Sequence, residues 1–405
     1  MQSAERETPL LDEEVPTEQR RPRRRLRRNL RLVRTLLLIA VIVIGWSVAH
    51  ALLAPGTDSA SVRLAEWARN HSLGFAVTGL EEAQYKMHPP KVGGTPDLSL
   101  LQGSEITSPP SGSPVSRSSA TGRSRATSVA SVSIQATLAS IATPALKGEG
   151  VYRAAAYAHG QPIVQVAYLR PDSQHTSYLA GVMWMDGAQV RFVQHPGYAD
   201  PGNLNLWKQP DTIPPSARKG LVATFNSGFK LKDARGGYYA DGHTMGKLTP
   251  GAASLVIYRD GHAAIGAWGS EVSMNSSVVS VRQNLRLLID NGKVAGNVAK
   301  DVQSNWGATL KGSYYVWRSG LGVTSAGDFV FVAGNALSVQ SLANLLQHAG
   351  AVRAMQLDIN PAWISGMWYT PGPGGATPHK LVDFKRPVNR YFTDTSRDFI
   401  AVYGR

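Results

Sequence analysis

The chain has 405 residues, a formal net charge of +14 and no cysteine. This length is enough for one large domain or two ordinary ones with a real hydrophobic core. The lack of cysteine excludes disulfides, thiolate catalysis and the usual zinc-finger ligands.

An apolar segment runs from Thr35 to Leu53. At about 1.5 Å per residue it spans roughly 28 Å as a helix, close to the hydrocarbon thickness of a bilayer. Nine arginines between Arg20 and Arg34 precede it, and such a cluster marks the cytoplasmic side. No A-x-A-like cleavage site follows at a convincing position, so the segment is predicted to be a retained signal-anchor. The protein is therefore expected to be a single-pass membrane protein with a cytoplasmic N-terminus and an extracytoplasmic C-terminal domain.

The arginine-rich tail favours anionic lipid as its partner because it adjoins a membrane span, and nucleic acid is not expected. Its ten arginines and six acids leave about +10 of the net charge for the rest of the chain. That excess favours an anionic partner outside the membrane, such as a phosphorylated glycan or wall polysaccharide. Residues 1–19 lack periodicity and are predicted to be disordered.

Two short helices are predicted after the span. Asp58 is expected to cap the first, and Thr78 with Glu81 has the spacing of a capping box for the second. From about Gly93 the chain is rich in Ser, Thr, Pro and Gly and too poor in aromatic residues to fold. The predicted division is a cytoplasmic tail 1–34, a transmembrane signal-anchor 35–54, a helical stalk 55–92, a disordered linker 93–144 and a folded domain 145–405.

The folded domain alternates β-prone segments with turn residues. Asp186-Gly187, Asp260-Gly261 and Asn291-Gly292 predict hairpins, because such pairs accept the positive φ of primed turns. Further on, two strands precede a helix capped by Ser338, and another strand ends at Asp358. The strands on either side of that helix should be parallel. We expect an α/β fold with a large twisted mixed sheet, antiparallel hairpins and a C-terminal strand–helix–strand crossover, preceded by one transmembrane helix.

Two charged residues are predicted to meet at one edge of this sheet. Arg318 begins a strand antiparallel to Phe329–Ala333, and Asp358 follows the strand parallel to the latter. Ligands of such sheets bind beyond the carboxyl ends of strands. Arg318 is therefore a candidate phosphate binder, since a guanidinium grips two oxygens, and Asp358 is a candidate nucleophile or base. A surface ion pair for Arg318 and a turn cap for Asp358 are the structural alternatives.

A second set of candidates lies in two earlier segments. The β-prone run from Leu221 ends in Asn226, whose amide can bind a sugar hydroxyl or a phosphoryl oxygen, and the Gly228 N–H can stabilise developing charge. A tight turn is the structural alternative for both. In the glycine-rich segment that follows, Tyr238 offers a flat amphipathic surface to a substrate.

Asp241 and His243 in the same segment are candidates for protonation of a leaving group, although a histidine in such a loop is more often simply exposed. Trp363 follows Asp358 and is a candidate for stacking on a sugar, with core packing as the alternative. Asp241 with Asp358 offers ligands for a divalent cation, but no spacing resembles a calcium loop. No metal site and no cofactor are therefore predicted.

These segments resemble the phosphodiester glycosidase family. The matching motifs occur in the family's order as Ala223-Thr-Phe-Asn226-Ser-Gly228-Phe229, Gly236-Gly-Tyr-Tyr, Arg318-Ser-Gly-Leu-Gly-Val and the run from Ser338 to Asp358. The resemblance covers roughly residues 150–405. It implies hydrolysis of a sugar-1-phosphodiester on a mixed α/β fold, with the family's polar motif positions at Asn226, Gly228, Arg318 and Asp358.

Two positions depart from the family pattern. Asp358 is followed by Ile359-Asn360-Pro361 in place of glycines, and Lys230 stands where the family commonly has a second aromatic residue. The leading hypothesis is a membrane-anchored extracytoplasmic glycosidase that hydrolyses a sugar-1-phosphodiester in a cell-envelope or exported glycan. The missing glycine loop leaves loss of activity open, so a non-catalytic glycan-binding module and a structural envelope protein are the alternatives.

Overall fold

A computed structural model describes residues 21–102, 133–300, 303–307 and 315–405 of the chain. The chain divides into two compact units at the boundary between Ala54 and Pro55. The segment 1–19 that is predicted to be disordered lies outside the described residues, as does most of the predicted linker.

The first unit contains one long helix, α1 (Arg21–Leu52). Within it, the 25 residues of Arg28–Leu52 are long and apolar enough to cross a membrane. A signal sequence near the N-terminus meets the same criteria of length and composition. The helix is therefore compatible with the predicted membrane span and does not fix its orientation.

The second unit begins with α2 (Ala60–Asn70), α3 (Gly74–Met87) and the short α4 (Ser99–Gln102). Ser59 caps α2, because its hydroxyl accepts a hydrogen bond from the N–H of Val62 at 3.3 Å. The prediction that Asp58 caps this helix is therefore wrong, and its carboxylate has other partners. The second helix begins at Gly74, before the predicted capping box at Thr78.

Both ends of the predicted linker contact the rest of this unit. Arg153 Nη1 donates to the Leu100 carbonyl at 2.7 Å, which holds α4 against the domain. Beyond the linker's centre, the N–H of Gln135 donates to the side-chain oxygen of Gln165 at 2.8 Å. The centre itself lies outside the described residues, so the limits 93–144 stay a prediction.

Among the regular elements of the second unit, strands outnumber helices. Its strands are β1 (Arg153–Ala158), β2 (Gln161–Leu169), β3 (Ala180–Met185), β4 (Val190–His195), β5 (Leu221–Asn226), β6 (Tyr238–Ala240), β7 (His243–Met245), β8 (Ala253–Tyr258), β9 (Ala263–Ala267), β10 (Val278–Gln283), β11 (Leu287–Asp290), β12 (Lys293–Val294), β13 (Val316–Thr324), β14 (Phe329–Leu337), β15 (Ala351–Gln356), β16 (Gly366–Thr370), β17 (Thr377–Lys380) and β18 (Phe399–Gly404). Its remaining helices in the described residues are α5 (Leu231–Ala234), α6 (Gln303–Trp306) and α7 (Val339–His348).

These strands form three sheets in the described part of the chain. Sheet A has the order β1-β2-β3-β14-β13-β15-β11-β12, sheet B the order β7-β6-β10-β8-β9, and sheet C the order β17-β16-β5-β18-β4. Neighbouring strands are antiparallel throughout. The prediction of a mixed α/β fold with antiparallel hairpins and an N-terminal apolar helix is confirmed.

Turn chemistry accounts for two of the three expected hairpins. Asp260-Gly261 connects β8 to β9, and Asn291-Gly292 connects β11 to β12 with φ of 47° and 73°. The prediction for Asp186-Gly187 is wrong, since β3 lies in sheet A and β4 in sheet C. At this turn the chain passes from sheet A to sheet C. The N–H of Gly187 donates to Asp328 Oδ1 at 3.2 Å, so the loop of the β13–β14 hairpin holds the turn in place.

The predicted crossover is formed by β14, α7 and β15. Ser338 caps α7 in a reciprocal pair with Ser341, whose N–H donates to Ser338 Oγ at 3.0 Å. The two flanking strands run parallel as expected, but they are not neighbours. β13 lies between them and pairs with both.

Sheet A separates α7 from sheet C. On one face, Gly320 lets α7 approach closely, since a Cβ there would lie 2.9 Å from a methyl of Leu346. On the other face, Phe331 stacks on Phe225 of sheet C with 4.9 Å between ring centroids. Because side chains alternate along a strand, Arg318 faces α7 and Ser319 faces sheet C.

Candidate active site

Asp358 lies where β15 ends, at the junction of sheets A and C. Its N–H donates to the carbonyl of Ser227 at 3.1 Å, and its own carbonyl accepts from Ser319 Oγ at 2.9 Å. Asn226 Nδ2 donates to the same hydroxyl at 3.0 Å. This chain of hydrogen bonds joins the ends of β5, β13 and β15, and it fixes the backbone of Asp358.

The Asp358 side chain is only 6% exposed. Oδ1 accepts the N–H of Asn360 at 2.9 Å, and Oδ2 lies 3.3 Å from Nη2 of Arg397. Burial raises the pKa of this carboxyl above its usual value, while Arg397 and the N–H groups of Asn360 and Ile359 act to lower it. Ionisation of Asp358 therefore depends on the paired arginine.

Arg397 connects this carboxylate to two other parts of the site. Its Nη2 also donates to the Gly228 carbonyl at 3.2 Å, and its Nε lies 3.7 Å from Oδ2 of Asp200. Arg397 lies outside the motifs that the sequence offers. The sequence feature that could have indicated a role for Arg397 is the adjacent Arg397-Asp398 pair directly before an apolar strand.

A second ion pair lies beneath the first. Arg282 holds Asp398 with two hydrogen bonds, Nε to Oδ2 at 2.7 Å and Nη2 to Oδ1 at 3.1 Å, and both side chains are buried. Tyr238 lies close to this pair. Burial and the charge of Asp398 raise the pKa of the Tyr238 phenol well above its usual value. Tyr238 therefore packs behind the site rather than presenting its ring to a ligand.

Lys230 brings a further cation to the site. Its ammonium contacts Glu66 of α2. Burial, with Arg397 and Lys232 nearby, lowers the pKa of Lys230 to about 8, whereas Asp233 and Asp358 act to raise it. In the sequence Lys230 stands out only as a departure from the family pattern. Its position two residues after Gly228 is the signal that links it to the site.

Trp363 lies among three arginines on the loop that follows Asp358. The Cζ atoms of Arg397 and Arg386 are 5.4 and 5.9 Å from its ring centroid, and Arg390 donates to its carbonyl. The ring is buried in this arrangement. Guanidinium groups thus surround the ring that is a candidate for stacking on a sugar, and its burial matches the core-packing alternative.

Arg318 lies on the face of sheet A that points away from sheet C and Asn226. It is fully buried, and it donates from Nε to the Leu337 carbonyl at 2.9 Å and from Nη1 to Gln356 Oε1 at 3.1 Å. Arg318 and Asp358 lie at the same edge of the sheet, as expected. The guanidinium, however, faces α7 rather than Asn226, and the arginine paired with Asp358 is Arg397.

Asn226 and Gly228 support the site. Both donors of the Asn226 amide are used, since Nδ2 also donates to the Ser227 carbonyl at 2.9 Å, and Oδ1 accepts the N–H of Ser365 at 3.2 Å. A Cβ on Gly228 would lie 3.1 Å from the side chain of Asn284. These contacts match the tight-turn alternative, in which the two residues position Asp358.

Asp241 and His243 lie on the β6–β7 hairpin of sheet B. Asp241 accepts the N–H of Lys208 at 2.9 Å, and the exposed ring of His243 meets Trp207 edge-on at 6.4 Å. No hydrogen bond or ion pair in the described part of the chain joins either residue to Asp358. The structure therefore brings Asn226, Gly228, Asp358 and Trp363 together, and leaves these two apart.

The described residues contain no group of three or more His, Asp or Glu side chains that could hold a metal ion. The charges around Asp358 are instead those of arginine and lysine against aspartate. Such an arrangement suits an anionic ligand, because the buried cations are weakly screened.

Comparison with known proteins bears on the same region. Residues 219–358 match the family model described as phosphodiester glycosidase. No curated protein matches the chain significantly.

Three solved structures are similar to the chain at 12% identity each. The first is the zebrafish N-acetylglucosamine-1-phosphodiester alpha-N-acetylglucosaminidase catalytic domain auto-inhibited by pro-peptide, with a TM-score of 0.39 over 63% of this chain and 88% of that one. The second is a hypothetical protein from Synechocystis, with a TM-score of 0.34 over 61% and 63%. The third is a putative exported protein from Burkholderia pseudomallei, with a TM-score of 0.30 over 56% and 74%.

The family match covers the segment that carries Asn226, Lys230 and Asp358. The resemblance to the phosphodiester glycosidase family is thus confirmed for residues 219–358, and it supports a glycosidase-type function.

Proposed function

We propose that the chain is a membrane-anchored hydrolase that cleaves a sugar-1-phosphodiester in a cell-envelope or exported glycan. The observation that carries this proposal is the buried ion pair of Asp358 with Arg397. Asp358 is the last residue of the segment that matches phosphodiester glycosidases. The apolar stretch Arg28–Leu52 supports the anchor. The arginine-rich tail before it favours an extracytoplasmic site.

In this proposal Asp358 acts at the anomeric carbon of the sugar. Its carboxylate either takes a proton from the water that attacks that carbon, or attacks the carbon itself to form a glycosyl ester that water then cleaves, which releases the sugar and restores the carboxylate. The bond from the anomeric carbon to the phosphate oxygen breaks, and that oxygen keeps the electron pair. Because a phosphate monoester is a stable anion, its departure needs little help from a general acid, so this proposal requires no role for His243.

Two cations of the site have different tasks in this proposal. Arg397 holds the carboxylate ionised against the cost of burial, and its contact with the Gly228 carbonyl fixes its orientation. Lys230 offsets the negative charge of a bound phosphodiester and of the departing phosphate. Both effects are strong where water is excluded.

The test is release of free sugar by the full chain in detergent. The substrates are UDP-N-acetylglucosamine and a methyl phosphodiester of N-acetylglucosamine 1-phosphate, and the product is measured by chromatography. We expect Asp358→Asn to lower the rate at least about 1000-fold. Asp383→Asn, at a carboxylate that is 99% exposed, is the matched control and should keep the rate. Sugar release that survives in Asp358→Asn would refute the role of this residue, and no release from any phosphodiester tested would refute the activity.

One observation favours a non-catalytic glycan-binding module as the second candidate. The loop after Asp358 uses its own backbone donors internally, because the N–H of Asn360 binds Asp358 Oδ1 and the N–H of Ala362 binds Asn360 Oδ1, each at 2.9 Å. These N–H groups are not offered to a phosphate. Saturable binding to purified wall polysaccharide without turnover of any phosphodiester would favour this candidate.

A further inference from the structure

Two arginine–aspartate pairs contact the same tryptophan ring. Arg397, paired with Asp358, lies on Trp363, and so does Arg386, which is paired with Asp58. In the second pair, Arg386 Nη2 lies 2.5 Å from Asp58 Oδ1, and each side chain is only 5% exposed. The site therefore contains a carboxylate that comes from the very beginning of the second unit.

The partners of Asp58 form a binding site for an anion. Ser396 Oγ donates to Asp58 Oδ2 at 2.6 Å, so guanidinium and hydroxyl each hold one oxygen of the carboxylate. The Nε atom of Arg386 is buried and has no hydrogen-bond partner among the described residues. A phosphoryl group presents more acceptor oxygens than a carboxylate, so this unused donor suits a phosphate better than the present occupant.

We propose that Arg386 and Ser396 form a phosphate subsite of this active site, and that Asp58 occupies it in place of the phosphate of a phosphodiester. Arg386 binds two non-bridging oxygens through Nη2 and Nε, and the Ser396 hydroxyl donates to one of them. The assignment of the phosphate to a substrate rests on the proposed function. The subsite itself rests on the contacts of Asp58.

The segment that carries Asp58 is seated through a glycine. Gly56 has a φ of +88°, and a Cβ there would lie 2.2 Å from the Asp394 carbonyl oxygen. Tyr198 also donates to the Pro55 carbonyl at 3.1 Å. A side chain at position 56 is therefore incompatible with the seated segment, and Gly56→Ala should vacate the subsite without changing any charge.

The experiment measures binding of inorganic phosphate to the full chain in detergent by calorimetry. Asp58→Asn and Gly56→Ala vacate the subsite by different routes, and each should bind phosphate at least ten-fold more tightly than the parent. Adding Arg386→Gln to Gly56→Ala should abolish that gain. Gly269→Ala is the matched control, since Gly269 has the same φ of +88° and open space around its Cβ position. Glu149→Gln controls for loss of a buried ion pair elsewhere, the one with Arg170 at 2.9 Å.

Phosphate affinity that stays at the parent's value in Asp58→Asn and Gly56→Ala, with thermal unfolding showing both to be folded, would overturn the proposal. An equal gain in either control variant would also overturn it, since the effect would not belong to this subsite. Sugar release is measured in the same preparations to separate the two hypotheses. Tighter phosphate binding without sugar release supports the subsite and counts against the enzymatic function, whereas sugar release without tighter binding overturns the subsite alone.

Discussion

Nη2 of Arg397 lies 3.3 Å from Oδ2 of Asp358 and 3.2 Å from the carbonyl oxygen of Gly228. One guanidinium thus holds both the buried carboxylate and the turn that follows β5. Arg397 reaches this position from the residues just before β18, so the site depends on a strand far along the chain from the matched motifs.

Arg397→Gln should lower both stability and activity. It leaves the buried Asp358 carboxylate without its ion-pair partner, which typically costs about 3–5 kcal/mol of unfolding free energy. Arg397→Lys keeps the charge but loses the planar fork, so an intermediate loss is expected. Urea unfolding and initial rates of sugar release measure the two effects.

Arg353→Gln is the control. It breaks a half-exposed pair with Asp290 and should cost less than about 1 kcal/mol of unfolding free energy. Equal stability of the two glutamine variants would contradict this reading.

Arg318→Gln should act on stability rather than on substrate binding. The guanidinium faces α7 and donates to the Leu337 carbonyl and to Gln356, so its loss leaves buried acceptors unpaired at about 1–3 kcal/mol each. We expect a lower urea midpoint and an unchanged KM in the folded fraction. A raised KM with unchanged stability would instead restore Arg318 as the phosphate binder.

The pH profile of sugar release should have two limbs. Burial raises the pKa of Asp358, so the active carboxylate forms only above its usual range, and the rate should rise with pH through a midpoint above 3.8. The pKa of Lys230 is lowered to about 8, so the rate should fall as that cation is lost above pH 8.

Two variants test the assignment of the falling limb. Lys230→Arg should move that limb to higher pH, because arginine stays charged. Lys232→Arg, at an exposed lysine, should leave it in place. A falling limb that is the same in both variants would exclude Lys230.

His195 should make the fold less stable in acid. The ring is buried against Phe399 with 4.6 Å between centroids, and burial lowers its pKa from 6.5 to about 4. Between these values the unfolded chain binds the proton and the folded chain does not, so stability falls as pH drops from 6.5 to 4, by about 3 kcal/mol in all. His195→Gln should remove that part of the pH dependence in urea unfolding, whereas His262→Gln, at an exposed histidine, should not. An unchanged slope in His195→Gln would show that other groups cause it.

Local signals predicted much of the fold. Ser338 followed by apolar residues at helical spacing gave α7 its correct start, and Asp260-Gly261 and Asn291-Gly292 gave two hairpins, because caps and turns depend on neighbouring residues. Asp186-Gly187 misled for a physical reason. A turn pair sets the local φ, but whether the next strand pairs with the last one is decided by packing between sheets.

The site was predicted only in part, since its ion pairs join residues far apart in sequence. Asp358 could be predicted because it directly follows a strand. The face on which Arg318 lies could not be predicted, because it depends on the pairing register of β13 within the sheet. Arg397, Lys230 and the Asp58–Arg386 pair carry no local pattern that sets them apart from ordinary surface charges. Their burial, which gives them chemical meaning, arises only when the sheets pack.

The position of β18 in sheet C has a consequence for folding kinetics. This strand lies between β5 and β4, so residues 399–404 separate two strands that precede them by well over a hundred residues. Such pairings close long loops and are slow to form. While the polypeptide emerges from the ribosome, sheet C remains split at its centre, and Arg397 cannot reach Asp358 until β18 has been synthesised. Nascent chains should therefore be inactive and prone to aggregate through the unpaired edges of β4 and β5.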